Sequence, residues 1–398
     1  MTQSVINRKF LIILLGILAA LGPFSIDMYL PGFQQIAEEF NVHEKAVAFT
    51  LTSYFSGIAV GQLLYGPIVD KYGRKIPLLV GLSIYMLASL GCALASSIEF
   101  LIAMRLLQAL GGCVGMVASN AIISDVYEKN ERAKAFSYII LIMGLAPLIA
   151  PSLGSFFVAH FTWHYIFYFL FIFSLSVILL IFFFLPETSI YKHSNKLKFI
   201  KISKDYLEVL KNPIFLKYTL ASSIVMSILF AYISSAPFLF MTLYKLDNTT
   251  FSILFAVNAA GFIAGSYCNG VLTKYIPYIK IAKVASVILA SIALAATITY
   301  YINPQIPYKI LTSGIFFILV LIGFINPNAT AGSLAPFTNN IGIASALGGS
   351  FRMGIGAIVA AFIGSFQGST AIILFVIIFI LSIATVSLLW IKTKKINH

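Results

Sequence analysis

Two long apolar segments of the chain are joined by Gly66-Pro67-Ile68-Val69-Asp70-Lys71-Tyr72-Gly73-Arg74-Lys75, which carries four charged side chains in ten residues. Overall the chain is 60% hydrophobic and 10% charged, with a mean hydropathy of +0.97. Soluble domains are usually about 25% charged, so this composition indicates a membrane protein. The stretch is therefore expected to be a short charged loop between two membrane-spanning helices.

On either side of this loop the chain contains twelve apolar segments long enough to cross a bilayer. A hydrocarbon core about 30 Å thick needs roughly 20 apolar residues per helix. The predicted spans cover residues 10–31, 46–68, 76–98, 100–124, 136–159, 162–185, 214–240, 249–273, 281–302, 308–331, 341–364 and 369–391. All of them should be helices, because lipid cannot satisfy free backbone groups.

Lys and Arg are divided unevenly between the two sides of the membrane that these spans define. One side holds 21 of them and the other holds 3, which are Lys45, Lys245 and Lys309. The positive-inside rule then places both termini in the cytoplasm. The formal net charge of +13 follows from this topology, and nucleic acid is not expected as a partner.

The longest polar segment separates six spans from six spans. It runs from Pro186 to Pro213 and carries six lysines. The predicted organisation is an N-terminal six-helix bundle over 1–185, a cytoplasmic linker over 186–213 and a C-terminal six-helix bundle over 214–398. The residues of 196–211 fit either an amphipathic helix on the inner leaflet or a solvated linker.

The two halves share a glycine pattern in their second spans. The spacing is identical in Gly57, Gly61 and Gly66 and in Gly261, Gly265 and Gly270. Glycines four apart in an apolar helix let neighbouring backbones approach closely. The repeat predicts an all-α membrane protein with twelve transmembrane helices in two pseudo-repeated six-helix bundles.

The sequence lacks the motifs of an enzyme. It has no Walker loop, no Ser/His/Asp grouping and no metal-ligand cluster, and its three cysteines, Cys92, Cys113 and Cys268, have no ligand-like spacing. Enzymatic activity, a bound metal and a cofactor are therefore not expected.

Three charged residues lie well inside predicted spans: Asp27, Arg105 and Arg352. A charge at the membrane centre costs roughly 2.5–3.5 kcal/mol on insertion scales, so such residues are usually functional. Asp27 lies roughly 6–10 Å and Arg105 roughly 8 Å from the outer end of its span, so the two are expected to face each other across a cavity. Arg352 is roughly 17 Å deep, close to the midplane.

Three stretches resemble motifs of the major facilitator superfamily. Gly66 to Lys75 resembles its loop between spans two and three, and Arg105-Leu-Leu-Gln108-Ala-Leu-Gly111-Gly112 resembles its Arg-x-x-Gln-Gly-x-Gly motif, with Ala109 where Gly is usual. Gly144-Leu-Ala-Pro147-Leu-Ile-Ala-Pro151-Ser-Leu-Gly154 is similar to the antiporter motif of span five, with Ala150 where Gly is expected.

Three further stretches resemble one group within that superfamily, the bacterial Bcr/CflA-like drug:proton antiporters. They are Asp27-Met-Tyr-Leu-Pro31, Pro327-Asn328-Ala-Thr and Ala344-Ser-Ala-Leu-Gly348. The resemblance implies a proton-coupled transporter of the bacterial inner (cytoplasmic) membrane, acting as a monomer, that exports small, mostly apolar molecules by alternating access. The alternatives are a siderophore or metabolite exporter, a nutrient importer, or a membrane sensor that transports nothing.

The charged loop is expected to act as a gate. Gly66 and Gly73 would permit close approach and tight turning, and Asp70 would attract the N-terminal dipole of span eleven. Arg74 and Lys75 would pair with Asp125 at the cytoplasmic end of span four. The alternative is a simple positive anchor at the inner membrane surface.

Asp27 is expected to be the protonatable coupling group and Arg105 its electrostatic modulator. Burial favours a neutral acid and a nearby cation favours a carboxylate, so cavity hydration would switch the proton. A permanent Asp27–Arg105 salt bridge of purely structural use is the alternative.

The remaining candidates are polar or aromatic residues of the spans. Those expected to bind substrate are Tyr29, Tyr54, Gln108, Asn120, Asn258, Asn328 and Arg352. Arg352 would bind an anionic substrate or balance Asp27, whereas asparagines often serve only as interhelical contacts. Pro147, Pro151 and Gly154 are expected to shape span five, either as part of a sealed interface or as a passive kink.

Overall fold

The structure is a computed structural model that describes residues 8–127, 129–189, 199–337, 341–365 and 372–391. Within these residues the chain is helical, with fourteen α-helices and two short helical turns. The helices of the first half are α1 (Arg8–Asp27), α2 (Phe33–Glu39), α3 (Glu44–Tyr72), α4 (Lys75–Ala93), α5 (Ile98–Val126), α6 (Lys129–His160) and α7 (His164–Phe184). The others are α8 (Phe199–Leu210), α9 (Pro213–Pro237), α10 (Asn248–Leu272), α11 (Tyr278–Ile302), α12 (Tyr308–Leu334), α13 (Ile341–Gly364) and α14 (Ile372–Trp390).

The predicted number of spans is confirmed. In the described part of the chain, twelve helical segments are long and apolar enough to cross a membrane. The first, Phe10–Glu39, contains α1, a 3-10 turn over Leu30–Gly32, and α2. The seventh, Pro213–Leu243, extends α9 by a wide helical turn over Phe238–Leu243.

Several helices begin at a side chain that caps them. Ser97 accepts the backbone N–H of Phe100 at the start of α5, and Asp247 accepts that of Thr250 at the start of α10. Such caps satisfy backbone donors that have no partner inside the helix. Together with the apolar runs that follow, they explain why helix boundaries are readable from this sequence.

The chain divides into two compact units, Met1–Phe199 and Ile200–His398, and the division falls within the predicted 186–213 linker. In the N-terminal unit, buried side chains of α1, α4, α5, α6 and α7 form one hydrophobic core, among them Leu14, Leu18, Leu82, Tyr85, Val114, Ile139, Val177 and Ile181. In the C-terminal unit, α9 packs against α12, α13 and α14, and α10 packs against α12. The division falls after the first residue of α8, and Val209 of this helix is fully buried.

The glycine repeat has the same structural meaning in both units. A Cβ at Gly57 or Gly61 of α3 would collide with Ala109 or Cys113 of α5. A Cβ at Gly261 or Gly265 of α10 would likewise collide with α12. The third glycine of each set, Gly66 and Gly270, has open space around it. Two of the three glycines therefore bring equivalent helix pairs into close contact.

Candidate functional site

Arg74 is the centre of the polar cluster at the α3–α4 turn. Its Nε donates to Asp125 Oδ2 at 2.8 Å, and its Nη1 donates to Asp70 Oδ1 at 2.9 Å and to the carbonyl oxygen of Val69 at 2.8 Å. Burial lowers the pKa of Arg74, but Asp125 and Asp70 outweigh burial, and the net shift is upward. The predicted Arg74–Asp125 pair is therefore present, and it links the α3–α4 turn to the end of α5.

Glu187, which follows α7, closes the same cluster from a distant part of the sequence. Its carboxylate accepts the backbone N–H of Arg74 at 2.8 Å and that of Lys75 at 3.2 Å. The negative charge thus sits at the N-terminal end of α4, where the helix dipole favours an anion. Gly73 has a φ of +84°, and a Cβ there would collide with the Glu187 carboxylate. Glycine is required at this turn for both reasons.

Three details of the predicted loop are wrong. The stretch Gly66–Tyr72 is the end of α3, because Pro67 removes only one backbone donor from a helix that is otherwise intact. Gly66 consequently lies inside a helix, and a Cβ there would meet no atom within 4 Å, so it makes no close approach. Lys75 donates to the carbonyl oxygen of Phe182 at 2.8 Å instead of pairing with Asp125, because α4 has already turned its side chain toward α7.

Asp70 is paired with Arg74 and its side chain is 75% exposed. Its predicted partner, the N-terminus of span eleven, belongs to the other unit of the chain. That contact stays a prediction, as does the gating role of Gly66, Gly73, Lys75 and the rest of the cluster.

Arg105, in α5, is a fully buried cation held by aromatic rings. Its guanidinium carbon lies 4.3 Å from the ring centre of Tyr54, 4.8 Å from that of Tyr29 and 5.7 Å from that of Phe167. Ring faces carry partial negative charge and attract a cation at these distances. Tyr29 and Tyr54, predicted from sequence as substrate-binding residues, therefore contact Arg105 in the N-terminal unit.

A hydrogen-bonded chain leads away from Arg105. Its Nη1 donates to Gln108 Oε1 at 2.6 Å, and Gln108 Nε2 donates to Ser89 Oγ on α4 at 2.8 Å. The Nε and Nη2 atoms of Arg105 are buried and have no hydrogen-bond partner within the described residues. Unpaired buried donors are rare in native proteins and call for a functional explanation.

Asp27 is the last residue of α1 and is 4% exposed. No ion pair or hydrogen bond of its side chain occurs in the described part of the chain, so the structure does not contain a permanent Asp27–Arg105 salt bridge. The backbone just after it is held by α6, because a Cβ at Gly154 would collide with the Met28 carbonyl group. The glycine of the antiporter-like motif therefore fixes the turn that carries Asp27.

The two prolines of that motif lie inside α6, which continues through Pro147 and Pro151 to His160. Neither proline ends the helix, although each lacks the backbone donor that an interior helical residue supplies. Their predicted effect on the shape of span five stays a prediction.

The predicted asparagines have different surroundings. Asn258 is fully buried and donates to the Tyr232 hydroxyl at 2.9 Å, while its own Oδ1 has no partner among the described residues. Asn328 and Asn269 exchange two amide hydrogen bonds, of 2.6 and 3.3 Å, and so join α12 to α10. Asn328 thus makes an interhelical contact, which was the alternative to its predicted role in substrate binding. Asn120 is exposed on α5.

Arg352 lies on α13 in the C-terminal unit. Its Nη1 donates to Thr330 Oγ1 on α12 at 3.4 Å. Thr330 in turn lies 3.1 Å from Ser222 Oγ on α9, which donates to Asn326 Oδ1 at 2.7 Å. Arg352 is partly buried, and the polar groups near it in the described part of the chain are uncharged hydroxyl and amide groups.

Sequence reasoning missed the residues that complete these clusters. Glu187 was counted with the linker, although its position directly after span six, on the same side as Arg74, was an available signal. Ser89 and Ser222 gave no signal, since single hydroxyl residues are common in apolar helices and most bond only their own backbone. Thr330 ends the Pro327-Asn328-Ala-Thr stretch, but nothing in the sequence indicated that it contacts Arg352.

These observations define a class of protein: a multi-pass membrane protein of two compact helical units, with buried charges in its spans. Residues 15–361 match the Major Facilitator Superfamily, and the chain belongs to it. It is accordingly a transporter and not an enzyme, as the lack of catalytic motifs predicts.

Its relatives narrow the resemblance. The chain is 34% identical over 379 residues to the uncharacterized MFS-type transporter YdgK of Bacillus subtilis, covering 95% of this chain and 94% of that one. It is 31% identical over 360 residues to the bicyclomycin resistance protein homolog of Haemophilus influenzae, covering 90% of each. It is 28% identical over 334 residues to the multidrug resistance protein MdtL of Escherichia coli, covering 82% of this chain and 81% of that one. The predicted resemblance to Bcr/CflA-like proteins is confirmed.

A solved structure supports the fold. The crystal structure of a D-xylose–proton symporter superposes with a TM-score of 0.79 and covers 96% of this chain and 98% of its own, at 12% identity. At that identity the likeness concerns the fold alone.

Proposed function

We propose that this chain is a proton-coupled exporter of small, mostly apolar molecules, working by alternating access in the bacterial inner membrane with both termini in the cytoplasm. Relatives named for bicyclomycin and multidrug resistance support the export of such molecules. In this proposal the two bundles, 1–185 and 214–398, move relative to each other during transport. Residues 186–213 are their linker, and the active form is a monomer.

The observation that carries the proposal is the arrangement of Asp27 and Arg105 in one unit. Within the described residues, the side chain of the buried Asp27 has no hydrogen bond or ion pair, and the buried Arg105 has two donors without a partner. A buried charge without compensation is costly, so a proton on Asp27 neutralises it. When the proton leaves, the free donors of Arg105 are available to stabilise a carboxylate.

The cluster around Arg74 is proposed as the cytoplasmic gate. Its carboxylate partners come from α3, from the end of α5 and from the segment after α7, so it joins three separate elements. A change of state that displaces any one of these elements has to break charge-assisted hydrogen bonds, which are stronger than neutral ones. Breaking them together would give the transporter two discrete states.

The test is Asp27→Asn, assayed in inverted membrane vesicles with bicyclomycin and a panel of lipophilic drugs. The wild-type chain should release protons from energised vesicles when a substrate is added, and Asp27→Asn should lose at least about 90% of this signal, because an amide neither takes up nor releases a proton near neutral pH. Asp247→Asn is the matched control, since Asp247 is an exposed helix cap.

Direction of transport is tested separately in whole cells. When the proton gradient is dissipated, cells that carry an exporter gain substrate, whereas cells that carry an importer lose it. Proton-coupled transport at the wild-type rate by Asp27→Asn would refute the role of Asp27. Loss of accumulated substrate on dissipation would refute export.

A further inference from the structure

The positive charge of Arg352 has no counter-charge within its own unit's spans. Arg352 lies about midway along α13, which runs from Ile341 to Gly364. Asp247, an exposed cap at the start of α10, is the last acidic residue of the chain, and none of the six C-terminal spans contains Asp or Glu. A charge within a membrane span is expensive unless it is paired or functional.

Uncharged polar groups from two other helices surround this charge. Arg352 uses one of its five N–H donors in the described part of the chain, on Thr330 Oγ1. The Thr219 hydroxyl of α9 is buried and has no partner within the described residues. Arg352 Nη1 and Thr219 Oγ1 lie 3.6 and 4.0 Å from the position that a Cβ would occupy at Gly348. Glycine thus leaves room beside both the Arg352 guanidinium and the Thr219 hydroxyl.

An aromatic ring lies one helical turn away along α13. A Cβ at Gly356 would collide with the ring of Phe230 on α9, so this ring packs directly against the α13 backbone. The neighbourhood of Arg352 therefore combines a cation, a hydroxyl group without a partner among the described residues and, one turn away, a buried aromatic ring. An amphipathic anion, with one compact acidic group on an apolar body, has the matching chemistry.

We propose that Arg352, Thr219 and Thr330 form a subsite for the carboxylate of the transported molecule, so that the preferred substrates are apolar monocarboxylates. This inference rests on the proposed function and names its substrate class. Exchange of one such anion for one proton moves two elementary charges inward, so the membrane potential would drive export together with the proton gradient.

The experiment measures ligand binding to the purified full-length chain in detergent by thermal shift, and therefore needs no proton coupling. The probes are benzoate, 4-phenylbutyrate and 2-naphthoate, each compared with its primary amide. Ligands that bind only the folded chain raise its melting temperature. At least one carboxylate should bind the wild-type chain about tenfold or more tightly than its amide.

Variants then assign this preference to the subsite. Arg352→Gln should abolish it, and Thr219→Val should weaken carboxylate binding by roughly two- to tenfold. Lys309→Gln is the matched control, because it removes the same charge from an exposed residue of α12, and it should bind like the wild type. If Arg352→Gln does not fold, Thr219→Val together with the comparison of acids with amides on the wild-type chain still decides the proposal.

Three results would overturn it. The first is a wild-type chain that binds no carboxylate more tightly than its amide. The second is a preference for the carboxylate that survives in Arg352→Gln. The third is a preference that emerges only in Asp27→Asn, which would mean that Asp27 supplies the counter-charge of Arg352. Carboxylate binding without proton exchange in vesicles would instead refute the proposed antiport and leave the subsite intact.

Discussion

Arg105 illustrates how a single buried cation is accommodated without a carboxylate. Two tyrosine ring faces and one amide oxygen surround its planar guanidinium. Lysine would not replace it, because a compact ammonium cannot stack on two rings and donate sideways at the same time. The same planarity leaves Nε and Nη2 available for a second partner, since neither atom has one among the described residues. At the residue scale, the choice of arginine therefore follows from the geometry of its surroundings.

Gly154 provides a prediction at the same scale. Gly154→Ala should destabilise the chain by roughly 1–3 kcal/mol and lower proton-coupled transport, because the added methyl group collides with the Met28 carbonyl beside Asp27. Gly314→Ala is the control, since a Cβ at this helical glycine meets no atom within 4 Å. It should be neutral or slightly stabilising. Thermal unfolding in detergent measures the loss of stability, and vesicle assays measure proton-coupled transport. Equal effects of Gly154→Ala and Gly314→Ala would contradict the prediction.

The turn between α3 and α4 gives a prediction at the scale of an element. Gly73→Ala should destabilise the chain by roughly 1–2 kcal/mol, because alanine is strained at a φ of +84° and its Cβ displaces the Glu187 carboxylate. Gly66→Ala, at the other glycine of the same motif, should have no such cost, because Gly66 lies inside α3 with open space beside it. Thermal unfolding of both variants checks this. A larger loss for Gly66→Ala would show that the helix ends earlier than Tyr72.

The start of α10 has a pH dependence that can be predicted. Asp247 accepts the backbone N–H of Thr250 at 2.6 Å, which lowers the pKa of its carboxyl below the ordinary value of 3.8. A pKa that is lower in the folded chain than in the unfolded one stabilises the fold above the unfolded pKa. This contribution is lost as the pH falls through the folded pKa.

Asp247→Ala should therefore melt at a lower temperature than the wild type at pH 7, and the difference should shrink below about pH 4. Asp247→Asn is the control, because asparagine also caps helices and does not titrate. The melting temperature of Asp247→Asn should be close to that of the wild type at pH 7. A difference between Asp247→Ala and the wild type that is the same at pH 3 and pH 7 would show that ionisation of Asp247 contributes nothing.

The orientation of the whole molecule is testable by chemical labelling. In a chain with Cys92, Cys113 and Cys268 replaced, single cysteines at exposed lysine positions report their side of the membrane. Lys245→Cys and Lys309→Cys should react with a membrane-impermeant thiol reagent in spheroplasts, whereas Lys274→Cys and Lys280→Cys should react only after permeabilisation. The reverse pattern would overturn the cytoplasmic placement of both termini that the positive-inside rule predicts.

At the scale of the whole molecule, the two units also share a packing pattern. Glycines four apart bring α3 against α5 and α10 against α12, and the third glycine of each set is free. Beyond this pattern the units differ in their polar residues. The N-terminal unit holds a buried acid, Asp27, and a buried base, Arg105, that contacts two tyrosine rings, whereas the spans of the C-terminal unit hold one partly buried arginine beside a hydroxyl group and no acid. A shared backbone design therefore carries two different polar sites.

The sequence by itself determined the twelve spans, most of their boundaries, the glycine repeat and the Arg74–Asp125 pair. These features depend on local quantities: apolar length, the identity of capping residues, and a charge that needs a partner near the end of a neighbouring helix. The sequence also identified Asp27, Arg105 and Arg352 as the charges within the spans, because burial of charge is rare enough to be informative.

Only the tertiary structure decided what surrounds those charges. Arg105 contacts rings from the turn after α1, from α3 and from α7, and Glu187 caps a helix that begins 112 residues earlier in the chain. Asn269 and Asn328 pair across 59 residues, and Gly154 holds the turn beside Asp27. An apolar helix in lipid has no strongly marked inner face, so its sequence alone does not say which neighbours its few polar atoms will meet.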